Sequence, residues 1–75
     1  MAGDALARRL LAAHDAGDRA ALVTLYAEAS DQARAAGEVD RAAFYLTHAW
    51  VFALESGDPR ATDYRERLQQ DGRAD

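Results

Sequence analysis

Apolar residues recur at three- and four-residue intervals through four successive segments of the chain, which is the spacing of one face of an α-helix. A glycine followed directly by an acid marks the segment boundaries. These pairs are Gly3-Asp4, Gly17-Asp18, Gly37-Glu38 and Gly57-Asp58, the last three 20 residues apart. Glycine accepts the left-handed conformation that ends a helix, and an acidic side chain after it can cap the next helix.

These glycine-acid pairs, taken as helix boundaries, predict four helices. Helix 1 runs from about Asp4 to Asp15, helix 2 from the Asp18 cap to about Ala36, and helix 3 from about Val39 to Ser56. Helix 4 has Asp58 as its cap and Pro59 in the first helical position, where its missing N–H costs nothing. The main apolar stripes are Leu6, Leu10 and Ala13; Leu22, Leu25, Ala29, Ala33 and Ala36; Val39, Ala43, Leu46, Trp50 and Leu54; and Ala61, Tyr64 and Leu68.

Helix 3 differs from the others because it is apolar on two faces. The run from Ala42 to Leu54 contains only Thr47 and His48 as polar residues. The face opposite its main stripe carries Phe44, Tyr45, His48, Val51 and Phe52, with Arg41 and Glu55 beyond the two ends. A helix that is apolar all round is either buried or bound to something. Two alternatives follow: helices 1 and 4 cover this face and His48 bonds a backbone carbonyl or water, or the face contacts a partner.

Composition supports an all-α fold. Together with the glycine-acid pairs, it leads us to expect four antiparallel helices stacked as two hairpins, with helix 3 at the centre. The chain has 75 residues, enough for one domain, residues 1–75. It is rich in alanine and lacks isoleucine and asparagine, and 49% of its residues are hydrophobic. That combination favours helix over strand in a globular protein. Residues 71–75 are expected to be a frayed tail.

The charge balance excludes several classes of partner. A net charge of −4 argues against nucleic acid and against an anionic membrane surface, since both require a basic footprint. The longest nearly uncharged run, residues 42–54, is too short to span a bilayer, and the N-terminus does not resemble a secretory signal. We expect a cytoplasmic protein, and its bias toward Ala, Arg, Asp and Gly is typical of a high-GC bacterial genome.

No catalytic, cofactor-binding or metal-binding residue is predicted. Cysteine is absent, which excludes thiolate ligands and nucleophiles. His14 and His48 lie in different helices, and neither has a second ligand at the spacing of zinc sites. Ser30 and Ser56 are interpreted as solvent-exposed, and each glycine is solitary, unlike a phosphate-binding loop. We therefore expect that the chain is not an enzyme.

The hairpin of helices 2 and 3 resembles the tetratricopeptide repeat. Leu22, Leu25 and Ala29 match the apolar positions of that family's first helix, and Ala42, Leu46 and Ala49 match the small-large-small pattern of its second. The glycine spacing here gives hairpins of about 40 residues, against about 34 in the family. The resemblance implies a helical stack used for protein–protein contacts.

We therefore expect a non-enzymatic interaction module, either a homodimer or a small subunit of a larger assembly. The first-choice contact residues are Phe44, Tyr45, His48, Val51 and Phe52 on helix 3. A second candidate surface, chosen because first helices line the groove in tetratricopeptide-like stacks, is Val23, Thr24, Ala27, Asp31 and Arg34 on helix 2. The alternative function is a small-ligand or regulatory domain with a pocket lined by Trp50 and Tyr26.

Overall fold

The computed structural model describes residues 2–72, and side chains from Ala5 onward. It contains four α-helices within that range and no strand: α1 (Ala2–Ala16), α2 (Arg19–Ala35), α3 (Val39–Ser56) and α4 (Arg60–Gln70). The all-α prediction is confirmed, and the bounds of α2 and α3 agree with expectation to within one residue. Helix α1 begins two residues before Asp4, so the first glycine-acid pair lies inside a helix instead of before one.

The three inter-helix turns share one geometry. Gly17, Gly37 and Gly57 have φ of 64°, 78° and 67°, the left-handed region that glycine enters without a steric cost. The amide of the following acid donates back to the carbonyl of the fourth residue before each glycine. These bonds join Asp18 to Ala13, Glu38 to Ala33 and Asp58 to Ala53, at 3.0, 2.9 and 2.8 Å. Each turn is a Schellman motif, and all three acceptor alanines are buried.

The acids after the glycines do not all act as caps. Asp18 does, since its side chain accepts a hydrogen bond from the Ala21 amide at 3.1 Å. Glu38 makes no cap bond and forms an ion pair with Arg41 at 3.4 Å. Helix α4 begins one residue later than predicted, with Pro59 at the cap position, while the Asp58 carboxylate accepts from the Arg60 amide at 2.9 Å.

The helices form a slab of 31 × 30 × 13 Å. The contact between α2 and α3 is the most extensive, α1 packs on α2, and α4 packs on α3. One buried cluster joins α2, α3 and α4 through Val23, Leu46, Ala49, Tyr64 and Leu68, among others. A second joins α1 to α2. The centre of the molecule is shared by α2 and α3, which bury six and five side chains.

Five side chains lie on the opposite side of the solvent boundary from the one predicted. Ala36, assigned to the apolar stripe of helix 2, is exposed. Val39 and Leu54, assigned to the core, are 50% and 56% exposed. Val23, assigned to a surface, is fully buried, and Ser30 is buried as well.

The position of α4 explains the burial of Val23. Val23 belongs to the same buried cluster as Ala61, Tyr64 and Leu68 of α4. Two polar links tie α4 to α2: Arg60 to Thr24 at 2.8 Å and Arg34 to Asp71 at 2.9 Å. Of the helix 2 surface proposed from sequence, Val23 is therefore an internal contact, Ala27 is half-buried, and Thr24, Asp31 and Arg34 remain exposed. Of the predicted frayed tail, Asp71 and Gly72 form a turn after α4, and residues 73–75 lie outside the described range.

Candidate functional site

The second apolar face of α3 is divided between covered and open positions. Phe44 and Val51 are 58% and 43% exposed, whereas Tyr45, His48 and Phe52 are half-buried. All five residues predicted as contact residues thus retain some accessible surface, and two are largely open. The division reflects which neighbours reach the face from α1 and α2.

Tyr26 of α2 is the main cover. Its ring stacks on His48 at a centroid distance of 5.1 Å and on Phe52 at 5.7 Å, and it lies 6.4 Å from the Tyr45 ring. Offset stacking at these distances stabilises aromatic pairs beyond their area burial. Burial of the ring, with a smaller contribution from Tyr45, raises the pKa of the Tyr26 phenol, so it stays protonated and can donate a hydrogen bond.

His14 of α1 completes the aromatic cluster. Its Nε2 lies 3.0 Å from the Tyr26 phenol oxygen, a hydrogen-bond distance, and its ring meets Phe52 edge-on at 5.9 Å. The two histidines that the sequence placed in separate helices therefore both contact one tyrosine. Their role here is structural, because they join α1, α2 and α3.

The expectation that helices 1 and 4 cover this face is half correct. Helix α1 contributes His14, but α4 buries its apolar residues against the other side of α3, in the cluster with Leu46 and Ala49. The largest cover comes from Tyr26, which directly follows Leu25 and so lies on the flank of the predicted helix 2 stripe. This flank position of Tyr26 was visible in the sequence. Periodicity alone could not show that a flanking aromatic residue would cross to the next helix.

The remaining side of α3, which we call the open face, points away from α2 except at His48, whose ring stacks on Tyr26. It consists of Arg41, Phe44, Thr47, His48, Val51, Leu54 and Glu55, six of them exposed and His48 half-buried. The polar groups near its middle are satisfied within the helix. The Thr47 hydroxyl donates to a carbonyl one turn earlier at 2.8 Å, and His48 Nδ1 lies 2.9 Å from the Phe44 carbonyl oxygen. That contact is the backbone bond expected for His48.

Other chemistry is sparse over the described residues. No group of three or more histidine, aspartate or glutamate side chains within residues 5–72 could hold a metal ion. Ser30 is not a solvent group as interpreted, since its hydroxyl is buried and donates to the Ala42 carbonyl at 2.8 Å. Ser56 is exposed and bonds the Phe52 carbonyl.

Three shallow grooves of about 280 to 440 Å³ lie on the surface. The first separates α1 from α3 over an apolar floor that includes Leu6 and Tyr45, with Glu38 and Arg41 at its rim. The second lies beside Arg9 and Arg60, and the third beside Arg34 and Arg67. None of the three is lined by Trp50 or Tyr26, the residues of the alternative pocket.

Within the described range, every helix is too short or too polar to cross a bilayer. Comparison of the sequence with protein-family models and with curated proteins, and of the fold with solved structures, gave no significant match.

Proposed function

We propose that this protein is a non-enzymatic protein–protein interaction module whose contact surface is the open face of α3. The observation that carries the proposal is the exposure of three large apolar side chains on one side of one helix. Phe44, Val51 and Leu54 are 58%, 43% and 56% exposed. Their sequence spacing of seven and three residues places them on a common face.

Burial of this face by a partner would be energetically favourable. Apolar surface removed from water contributes roughly 25 cal/mol per Å². Single exposed apolar residues are ordinary on protein surfaces, but a contiguous row on one helix is a feature of interaction sites. Aromatic anchors such as Phe44 are typical of the residues that dominate binding energy.

The polar groups near the middle of the open face impose little desolvation cost. Both Thr47 and His48 direct a side-chain polar atom to a carbonyl of their own helix. A buried polar group is costly mainly when it loses its hydrogen bonds, and these bonds do not depend on solvent. The face can therefore be covered by an apolar partner surface without leaving the Thr47 hydroxyl or His48 Nδ1 unpaired.

The tetratricopeptide resemblance supports the same function from a separate direction. That family uses stacked helix-turn-helix units to bind proteins, and the repeated glycine turns here connect successive helices in the same way. We include tetratricopeptide-like stacking in the proposal. The proposed contact surface is on the second helix of the central pair, because Val23, the large apolar residue of the candidate surface on α2, is buried against α4.

Site-specific photocrosslinking tests the proposal. Benzoylphenylalanine replaces Phe44 in one protein and the exposed α4 residue Thr62 in a control, both produced in cells at low level. We expect saturable adducts at position 44, to this chain or to another protein, and few at position 62. Val51→Asp, two helical turns from the probe on the same face, should abolish the adducts, whereas Thr62→Asp should not. Equal adduct yields at positions 44 and 62 would contradict the proposal.

A further inference from the structure

We propose that the partner of the open face is a second copy of this chain, with the two α3 helices antiparallel about a twofold axis that passes near His48. The inference rests on the proposed function and adds the identity and orientation of the partner. It follows from the order of residues along the open face, from their charges and from what already covers the rest of α3.

The central line of the open face has the same order of residue classes in both directions: charged, apolar, histidine, apolar, charged. Arg41, Phe44, His48, Val51 and Glu55 follow one another at steps of three, four, three and four residues. His48 is the midpoint, and Arg41 and Glu55 are each seven residues from it. In an antiparallel pair centred on His48, Phe44 of one copy lies beside Val51 of the other. An isologous contact of this kind buries the same patch on both copies.

The charges at the two ends distinguish antiparallel from parallel pairing. Antiparallel helices bring Arg41 of each copy to Glu55 of the other, twice by symmetry. Parallel helices would bring Arg41 to Arg41 and Glu55 to Glu55, which is repulsive. The face therefore favours one orientation and disfavours the other.

Both charged ends are available for such a contact. The Arg41 side chain is 61% exposed and shares only a 3.4 Å ion pair with Glu38, which leaves guanidinium donors for a second carboxylate. Glu55 is exposed, and no side chain of residues 5–72 forms an ion pair with it. A second copy would supply the missing cation.

Neighbouring helices leave this approach unobstructed. The buried residues of α3, including Ala42, Leu46, Ala49 and Ala53, face α2 and α4. Tyr26 covers the flank that carries Tyr45 and Phe52 and stacks on one side of the His48 ring, which stays partly accessible. The open line from Arg41 to Glu55 is about 21 Å long at a 1.5 Å rise per residue. A contact of this length buries a small area, and pairs below about 1,200 Å² are typically weak and transient.

Sedimentation equilibrium on the purified chain tests partner and orientation together. From about 10 µM to 1 mM, the range suited to a weak pair, we expect a monomer–dimer equilibrium. Arg41→Glu and Glu55→Arg should each weaken the dimer at least tenfold, and the double variant should recover affinity to within about threefold of the parent, since both cross-pairs are restored. Glu38→Ala, which removes only the internal pair of Arg41, is the matched control and should not weaken the dimer.

Single-cysteine crosslinking gives a second readout, because the chain has no cysteine of its own. Under mild oxidation His48→Cys should form a covalent dimer, since the axis brings the two positions together. Arg41→Cys should not, because its two copies lie about 21 Å apart along the helices. Circular dichroism checks that both variants fold.

Two results would overturn the inference. A parent protein that stays monomeric at 1 mM removes the second copy as partner, and adducts from Phe44 to a different protein would then leave the interaction module standing. A dimer that is insensitive to the charge reversals, or in which Arg41→Cys crosslinks as well as His48→Cys, removes the antiparallel geometry.

Discussion

The hydroxyl of Ser30 donates a 2.8 Å hydrogen bond to the carbonyl of Ala42, and so joins the middle of α2 to the first turn of α3. Ser30 is the buried polar side chain of the described core, with 2% of its surface exposed. Small residues around it allow the two helices to approach closely enough for a serine to reach a neighbouring backbone.

Ser30→Ala should lower the free energy of unfolding by about 0.5–1.5 kcal/mol, the net value of one such bond. The Ala42 carbonyl keeps its helical partner, so the loss should not be larger. Urea denaturation followed by circular dichroism measures the change. Ser56→Ala is the control, because Ser56 is exposed and bonds only within its own helix. Equal losses in the two variants would show that the Ser30–Ala42 contact does not stabilise the fold.

Gly37→Ala should destabilise the protein by about 1–2 kcal/mol through backbone conformation alone. The residue has φ of 78°, and an added Cβ would meet nothing within 4 Å, so no steric clash contributes. Gly37→Asn should cost less, because asparagine enters the left-handed region more readily. Thermal unfolding of the three proteins gives the order, and an alanine variant as stable as the parent would contradict it.

Trp50→Ala and Trp50→Phe should differ widely. The indole is half-buried against the α3–α4 cluster, and its Nε1 is buried without a hydrogen-bond partner among the described residues. Alanine removes the packing, at a cost of about 3 kcal/mol. Phenylalanine keeps much of it and removes an unpaired donor worth about 1–3 kcal/mol, so it should stay within about 1 kcal/mol of the parent. Denaturation curves decide, and similar losses in both variants would show that Nε1 carries no penalty.

Asp58→Asn should reduce stability at neutral pH but not at low pH. Hydrogen bonds from Arg60 hold the pKa of the Asp58 carboxyl below its ordinary value. Because the folded pKa is lowered, the carboxylate stabilises the fold above the ordinary pKa of about 4 and loses this effect as pH falls through the lower folded value. The gap between parent and variant, measured by denaturation from pH 7 to 2, should therefore close in acid. Asp63→Asn, at an exposed pair with Arg67, serves as the comparison.

The helix ends and the main apolar stripe of α2 could be predicted from the sequence. The glycine positions gave the ends of α1, α2 and α3 because the left-handed turn depends on one residue and its neighbours. The stripe of Leu22, Leu25 and Ala29 is buried as predicted, since it is the strongest apolar periodicity in α2. These features depend on short stretches of chain, where pattern and structure correspond directly.

The sequence did not show which second faces of the helices would be covered by other helices. Val23 and Val51 are the same residue type on second faces of their helices, yet Val23 is fully buried and Val51 is 43% exposed. The difference arises because α4 packs near α2 on one side of the slab, while none of the helices within residues 2–72 packs on the outer side of α3. A helix with two apolar faces can be covered on either, and only the path of the other helices decides which. The covering of Phe52 by Tyr26 was missed for the same reason.

The repeated turns fix the spacing between each glycine and the helix before it. The carbonyls that close the turns belong to Ala13, Ala33 and Ala53, so each helix needs a small buried residue four positions before its glycine. A single inserted residue within α2 would rotate everything beyond it by about 100° and carry Ala33 out of the interior. A whole 20-residue unit would instead bring the chain to the same phase at the next turn. This architecture can therefore accommodate the insertion of a complete helix-and-turn unit, whereas the insertion of a single residue would disrupt it.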